Sequence, residues 1–358
     1  MNVNDLPRTI YSGMQTGGHV QGIAVDLRRG YVYYSFTTKL VKTDLKGNFI
    51  GSVSGLLGHL GCIDFCEADG RVYGSLEYKN DEIGKGILQM LGAQRCEKTA
   101  FYAAIFDVSR IVRADMDAER DGIMTAVYLK TVVDDCLGYD DLNGIQVKQR
   151  YGCCGIDGTS FGPRFGVSGG KNYLNICYGI YGDVNRTDND CQVILHYDTA
   201  EWYKYERRLS QEDMHESGPE QPDAKYFVYT GNTCYGVQNL EYDGASGNWY
   251  MAVYRGKKPY FPNYPMYVID GSKAPYEGEI PGRGGERGQL LTLLDGGIKD
   301  GVTGICGCNF EYGQTGIYSL DNGYFYISHN GGADGKFDST VRLYRATGNP
   351  ADPFELVP

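Results

Sequence analysis

The chain has 358 residues and a formal net charge of −11, and it contains 51 glycines and 31 tyrosines. An acidic balance without a basic stripe argues against nucleic acid and membranes as partners, and no stretch approaches the roughly 18 apolar residues that span a bilayer. Glycine serves turns and tyrosine suits half-buried pleated surfaces, so the composition indicates an all-β protein.

The N-terminus and the cysteines bear on the cellular compartment. The opening segment, MNVNDLPRTIYSG, lacks the apolar stretch of a signal peptide. The eleven cysteines have scattered spacings, and an odd number would leave one thiol unpaired in an oxidising compartment. Both features predict a cytoplasmic protein with reduced thiols, although a signal already removed from the chain would fit them too.

One unit recurs five times along the chain, and each copy begins with a glycine-containing strand pattern. Such recurrence at a period of several tens of residues is typical of repeat architectures. The five first strands are HVQGIAVD (19–26), HLGCIDFC (59–66), GIDGTSFG (155–162), GVQNLEYD (236–243) and GICGCNFEYG (304–313).

Further strands follow in each copy. The second is rich in tyrosine and β-branched residues: GYVYYSF (30–36), GRVYGSLEY (70–78), KNYLNICYG (171–179), GNWYMAVYRG (247–256) and GYFYISHN (323–330). The third is LVKTD (40–44), AAIFDVSRIV (103–112), QVILHYD (192–198), PMYVID (265–270) and TVRLYRA (340–346). A fourth occurs in the first four copies as NFIGSVSG (48–55), GIMTAVYL (122–129), KYFVYTG (225–231) and GQLLTLL (288–294).

Four strands per unit, repeated radially, predict a five-bladed β-propeller of four-stranded antiparallel blades in one domain. The last blade needs an outer strand, for which the N-terminal segment 8–13 and the C-terminal segment 353–357 are both candidates. Either would close the ring and remove an exposed sheet edge. The predicted blades cover 17–56, 57–150, 151–231, 232–297 and 298–358.

The first blade carries a resemblance to a known family. Its pattern GIAVD…GYVYYSF…LVKTDLKGN (22–48) resembles the blades of NHL-type propellers. The resemblance implies the architecture and no particular activity. Insertions interrupt the later blades, and two of them, 81–100 and 130–144, are expected to hold short helices.

Two of the five histidines open the first strands of neighbouring blades. In a propeller those strands line the central channel, so His19 and His59 should lie at one mouth of it. The loops between second and third strands reach the same face, and they should bring Glu77 and His329 there. Convergent polar groups in a concave site mark a candidate ligand site. The aligned positions Gln21, Asp157 and Gln238 should form a polar ring, with Tyr178 and Asn330 beside it.

These residues allow two chemistries. His19, His59, His329 and Glu77 have the ligand types that bind a divalent transition metal such as zinc, manganese or iron. Alternatively, Asp157 and Glu77 could serve as a carboxylate pair, as in glycoside hydrolases that share five-bladed architecture. In either case a histidine that only hydrogen-bonds a neighbouring group is the competing interpretation for each ring taken alone.

The loop GKKPYFPNYPMY (256–267) adds aromatic and cationic side chains. Tyr260 and Phe261 could stack on a sugar ring, and Arg255 and Lys257 could receive a carboxylate or phosphate. The sequence therefore predicts a hydrolase or lyase for a carbohydrate-like or anionic small molecule, with His19, His59, Glu77, His329 and Asp157 as catalytic candidates. The alternative is a non-catalytic propeller that binds a glycan, a peptide or a partner protein through this face.

Overall fold

A computed structural model describes residues 5–95, 97–142 and 144–358. Five sheets surround a central axis, and the innermost strand of each contacts the innermost strands of both neighbouring sheets. The predicted five-bladed β-propeller is thereby confirmed. In blade order the innermost strands are Val20–Asp26, His59–Cys66, Cys153–Gly162, Cys234–Asp243 and Ile317–Ser319.

Blades 1 to 3 each contain the predicted four antiparallel strands. Their alternating apolar residues pack between neighbouring blades, where tyrosine and phenylalanine rings supply much of the buried surface. Blade 1 continues with Tyr31–Phe36, Lys39–Asp44 and Phe49–Ser54, and a short parallel strand, Met116–Asp117, joins its edge. Blade 2 continues with Arg71–Tyr78, Ala100–Phe106 and Met124–Tyr128, and blade 3 with Tyr173–Ile180, Cys191–Tyr197 and Ala224–Tyr229.

Blade 4 departs from the four-strand plan. Its sheet has three strands, Cys234–Asp243, Asn248–Tyr254 and Met266–Ile269. The segment expected as its fourth strand, 288–294, is divided between two blades. Its first part, within Arg287–Leu291, forms a hairpin with Tyr276–Glu279 and pairs in parallel with the outer strand of blade 3, whereas Leu293 bridges antiparallel to Ile269 of blade 4. Packing explains the change, because Leu290 and Ile280 join the same apolar cluster as Phe227 of blade 3.

Blade 5 uses both candidate closing strands. The N-terminal strand Thr9–Tyr11 and the C-terminal strand Phe354–Leu356 each pair antiparallel with Lys336–Ala346, at different positions along it. The second strand is Tyr324–Ala333. The predicted first strand, 304–313, lies too early in the chain, because Cys306–Gly307 pairs with Ile298–Lys299 and Cys308 bridges to Met266 at the edge of blade 4.

Two helices lie in the insertions expected to hold them. Helix α1, Glu82–Leu91, begins at Asp81, whose side chain accepts a hydrogen bond from the Gly84 N–H, and ends at Gly92 in the left-handed conformation. Helix α2, Lys130–Leu137, precedes a hairpin of Tyr139–Leu142 and Ile145–Lys148. Neither described helix has the length and apolar character to cross a bilayer. Short 3-10 segments occupy Val108–Arg110, Arg150–Gly152 and Thr199–Lys204.

A polar plug divides the propeller axis. The side chain of Asn239, in blade 4, donates hydrogen bonds to the backbone oxygens of Gln21 (2.8 Å) and Gln314 (3.0 Å). The thiol of Cys62, in blade 2, donates to the Asn239 side-chain oxygen at 3.1 Å. These bonds link four blades at the centre, so the two mouths hold separate cavities.

Candidate functional site

The mouth at which the first strands of blades 1 and 2 begin holds a cavity of about 430 Å³. This volume lies within the range of small-molecule sites. Six of the residues predicted to form the site line it together: His19, Gln21, His59, Glu77, Asp157 and Gln238.

The predicted ring of Gln21, Asp157 and Gln238 borders this cavity from blades 1, 3 and 4. The equivalent position in blade 2 is Gly61. A Cβ atom at Gly61 would lie 2.4 Å from Oδ1 of Asp157, so the absence of a side chain there leaves room for that carboxyl group. The repeat thus places the three polar side chains around the cavity, and Gly61 leaves the space that the Asp157 carboxyl group occupies.

Glu77 and Lys79 form a buried ion pair on the cavity wall. The Lys79 ammonium lies 2.7 Å from Glu77 Oε1 and donates to the backbone oxygen of Cys154 at 2.9 Å. The Ile156 N–H donates to Glu77 Oε2 at 3.1 Å. Gly155 permits this approach: its φ is +147°, and a Cβ atom there would lie 2.0 Å from Glu77 Oε2.

The charges of this pair compensate each other. Burial raises the pKa of Glu77, an effect that the Lys79 charge partly offsets. Burial by itself would lower the pKa of Lys79, but attraction to Glu77 raises it well above its usual range. Lys79 therefore stays protonated and is already partnered by a carboxylate.

His59 is neutral at neutral pH. Burial, together with the nearby Lys79 charge, lowers its pKa to about 3. Its Nδ1 lies 3.6 Å from Glu77 Oε1, too far for a hydrogen bond, and has no hydrogen-bond partner among the described residues. His19 sits exposed at the rim, where its Nε2 lies 3.0 Å from the amide nitrogen of Gln21 and can accept its hydrogen.

The carboxyl group of Asp157 has a raised pKa. Burial raises its pKa well above the usual range, and the negative charge of Glu77 acts in the same direction. Oδ1 is buried without a hydrogen-bond partner in the described parts of the chain. An unpaired buried polar atom costs free energy, so a ligand group that bonded Asp157 would remove that cost.

Helix α1 forms one wall of the cavity, which was not predicted from the sequence. Ile83, Ile87 and Met90 line the cavity from this helix. Their spacing of four and then three residues places them on one helical face, and this signal is visible in the sequence. Thr37, Tyr235 and Tyr254 also line the cavity and were not predicted.

The expected metal centre is not assembled. His329 stacks on Tyr312, with ring centroids 3.9 Å apart, and its Nε2 lies 2.8 Å from the Tyr344 hydroxyl, away from His19 and His59. Glu77 is already held by Lys79 and a backbone N–H. Within 5–95, 97–142 and 144–358, no three His, Cys, Asp or Glu side chains are placed to share a metal ion.

The blade 4 loop also lies outside the cavity. Arg255 pairs with Glu311 and donates to the Asn263 backbone oxygen at 3.0 Å. Lys257 is exposed and Tyr260 is 81% exposed, whereas Phe261 packs against Tyr229. The expected stacking wall and anion clamp are therefore not part of this cavity, because this segment packs on residues 186–190 and Tyr229 of blade 3 and on residues 309–311.

Two more residues predicted to belong to the site, Tyr178 and Asn330, do not line the cavity. Tyr178 is fully buried between blades, and its hydroxyl donates to Asp135 at 2.6 Å, so its role is in packing. Asn330 lies in a shallow groove that adjoins His19, on the long hairpin of blade 5. Asn330 is not among the residues that line the 430 Å³ cavity.

The opposite mouth holds a larger cavity of about 780 Å³. Three of its carboxyl groups are paired with backbone donors: Asp64 accepts from Phe161 N–H (2.6 Å), Glu241 from Ser319 N–H (2.6 Å) and Asp321 from Gly244 N–H (2.6 Å). Volume alone would favour this cavity as a site. The smaller cavity is the better candidate because it holds buried polar atoms that lack partners in the described chain, on Asp157 and His59.

The sequence matches no family model, and no curated protein sequence is significantly similar to it. Among solved structures, the PQQ domain of a pyranose dehydrogenase from Coprinopsis cinerea in its holo form is similar with a TM-score of 0.37 and 11% identity, covering 90% of this chain and 81% of that one.

Two further structures have lower scores. The Cps50 (Swd1) β-propeller domain from Myceliophteria thermophila gives a TM-score of 0.30 at 8% identity, over 93% of this chain and 99% of that chain. A Bacteroides caccae protein of unknown function gives 0.28 at 9% identity, over 78% and 82%. At these TM-scores the structural similarities support no conclusion about function.

Proposed function

We propose that the protein is an acid–base enzyme, a hydrolase or lyase, whose substrate is a neutral, hydroxylated, carbohydrate-like small molecule bound in the 430 Å³ cavity. The observation that carries the proposal is the meeting of Asp157 and His59 in one cavity. Each has a buried polar atom without a partner among the described residues, and the two groups have opposite proton roles.

The roles follow from the protonation states. Asp157, whose pKa is raised by burial, acts as the acid and donates a proton to a leaving oxygen. Neutral His59 accepts a proton from a water molecule or from a substrate carbon or hydroxyl. Glu77 Oε1 lies 3.6 Å from Nδ1 of His59, too far for a hydrogen bond in this structure. A ligand that excluded water would shorten this contact, so that Glu77 orients the ring and Nε2 accepts the proton.

The charge balance favours a neutral substrate. Lys79 is the cation in the lining, and Glu77 compensates it at 2.7 Å. Arg255 and Lys257, the expected anion clamp, do not line the cavity. The amide nitrogens of Gln21 and Gln238 already donate to Thr37 and to the Tyr235 backbone oxygen, and their amide oxygens offer acceptors that match hydroxyl groups. An anionic substrate would therefore find no free cation in the described lining.

The proposed reaction has no metal step, because the residues present do not form a ligand set. In this cavity His59 has a buried ring nitrogen without a partner among the described residues, whereas His19 accepts a hydrogen bond from Gln21. Glu77 already forms an ion pair with Lys79. We expect turnover to survive dialysis against a chelator.

A second candidate, a non-catalytic receptor for the same class of ligand, is favoured by one observation. A histidine with a pKa of about 3 is a weak base at neutral pH, since efficient general bases have pKa values near the working pH. In the receptor, His59 and Asp157 would serve as hydrogen-bond acceptor and donor without transferring a proton.

The two candidates are separated by a turnover screen with matched variants. Purified protein is incubated with neutral glycosides and sugar esters, and products are followed by NMR. If the protein is an enzyme, Asp157→Asn and His59→Gln each lower kcat by about 100-fold or more. His329→Gln, the same change outside the cavity, should stay within about twofold. Turnover that survives both cavity variants would refute the proposal, and binding without turnover would support the receptor.

A further inference from the structure

We propose that the ligand of this cavity carries an apolar group, an alkyl chain or an aromatic ring, beside its hydroxylated part, and that helix α1 selects that group. The inference rests on the proposed function for the location of the site. It adds the substrate class: an apolar derivative of a hydroxylated compound, such as an aryl or alkyl glycoside.

The cavity has two chemically different sides. Asp157, His59 and Gln238 supply polar groups on the propeller side. Helix α1 supplies Ile83, Ile87 and Met90 on the other. A sugar alone would satisfy the polar side and leave the helix face against water, at a cost proportional to the apolar area left exposed.

The apolar side chains are available to a ligand. Ile83 is 39% exposed and Met90 is 51% exposed, although both belong to the lining of a concave site. Ile87, one turn from each, is buried against the blade and fixes the helix in place. An apolar substituent that lay between Ile83 and Met90 would remove their surface from water.

The helix is held rigidly over the mouth, so the wall exists before the ligand binds. Asp81 caps its first turn, and the Gly92 N–H donates to the Gln89 backbone oxygen at the other end. Arg95 beyond the helix donates to the Lys79 backbone oxygen at 2.6 Å. Both ends of the insertion are therefore tied to the site, and preformed walls select ligands at low entropic cost.

The experiment compares matched ligand pairs. Methyl and phenyl β-glucosides, galactosides and xylosides are titrated into the full chain by calorimetry, together with benzyl alcohol as a minimal apolar probe. We expect the phenyl member of a pair to bind about tenfold more tightly or better than its methyl counterpart. Benzyl alcohol should shift the Met90 methyl resonance in ¹³C-methionine spectra, assigned with Met90→Leu.

The variants Ile83→Ser and Leu91→Ser test the helix face. Both residues are 39% exposed on the same helix, but only Ile83 lines the cavity. Ile83→Ser should bring the phenyl-to-methyl affinity ratio close to one, and Leu91→Ser should leave it unchanged. Circular dichroism and thermal unfolding verify that both variants fold.

Three results would overturn the inference: equal affinity for phenyl and methyl members, an equal effect of both serine variants, or no binding of any phenyl ligand together with an unshifted Met90 resonance. The proposed function can fail separately. If the phenyl ligands bind as expected but no turnover is found, the cavity is a receptor site and the substrate class still stands.

Discussion

The Lys79 ammonium lies 2.7 Å from Glu77 Oε1, and both side chains are buried. The two residues occupy the end of the second strand of blade 2, one of them on the strand Arg71–Tyr78 and the other just after it. Their ion pair joins blade 2 to the first strand of blade 3, because Lys79 also bonds Cys154 and Glu77 accepts from Ile156. The pair thus supports the inter-blade interface and the cavity wall at once.

Breaking this pair should destabilise the fold. Lys79→Met leaves the Glu77 carboxylate buried without its cation, and we expect a loss of about 3–5 kcal/mol in the free energy of unfolding. Urea denaturation measures it. The double variant Glu77→Gln/Lys79→Met should be more stable than Lys79→Met alone, since no charge is stranded.

A surface pair provides the control for that measurement. Lys299 lies 3.4 Å from Asp295 with both side chains well exposed, so Lys299→Met should cost less than about 1 kcal/mol. A loss from Lys79→Met no larger than that from Lys299→Met would contradict the assignment of a stabilising ion pair at the cavity.

Two glycines of helix α1 should respond in opposite directions to alanine. Gly86 has open space around its Cβ position, so Gly86→Ala should stabilise by about 0.5–1 kcal/mol through helix propensity. A Cβ atom at Gly84 would lie 1.9 Å from the Lys79 backbone oxygen, so Gly84→Ala should destabilise and displace the helix. The melting temperatures of the two variants, measured by thermal unfolding, test this prediction. Similar melting temperatures would show that α1 does not pack closely against the Lys79 backbone.

Neighbouring lysines 257 and 258 should differ in their contribution to stability. The buried Lys258 ammonium donates to the Arg186 backbone oxygen at 2.6 Å and to the Asn189 side chain at 2.7 Å, and it pairs with Asp190. Lys257 is exposed. We expect Lys258→Met to cost about 3 kcal/mol and Lys257→Met less than about 0.5 kcal/mol. If chemical denaturation showed equal losses in the free energy of unfolding for the two variants, the conclusion that Lys258 stabilises loop 182–190 would be wrong.

His196 should make the stability of the fold depend on pH. It is buried, its Nδ1 lies 2.7 Å from Asn175 Oδ1, and its Nε2 has no partner among the described residues, so a proton added there would find no acceptor. Burial lowers its pKa to about 4, whereas the unfolded chain titrates near 6.5. Between these values the unfolded state binds more protons, and stability is therefore lost as pH falls from 6.5 towards 4.

The variant His196→Phe isolates this contribution. It keeps an aromatic ring on Tyr173, which stacks on His196 with centroids 4.4 Å apart, and removes the titrating group. Between pH 7 and 4.5 the wild type should lose about 2–3 kcal/mol more than the variant. Carboxyl groups with raised pKa values, such as Asp64 near 7, act in the opposite sense but cancel in the difference. Parallel stability curves would contradict the assignment.

The sequence was sufficient for the architecture. Repetition of glycine-containing first strands and tyrosine-rich second strands set the number of blades, because each sheet must bury both faces against like neighbours. The same alignment placed Gln21, Asp157 and Gln238 around one opening and put His19 and His59 at that mouth. The strand pattern also predicted that a terminal strand closes the ring, and in the structure both terminal strands do so.

Tertiary structure decided what the repeat does not specify. The insertions follow no repeat, so the sequence could not show that α1 covers the mouth, that the blade 4 loop turns from it, or that His329 stacks on Tyr312 instead of joining His59. Nor could it show that Lys79 neutralises Glu77 or that burial raises the pKa of Asp157. Strand positions are set by local alternation and turns, whereas loop paths and protonation states depend on packing and burial between residues distant in the chain.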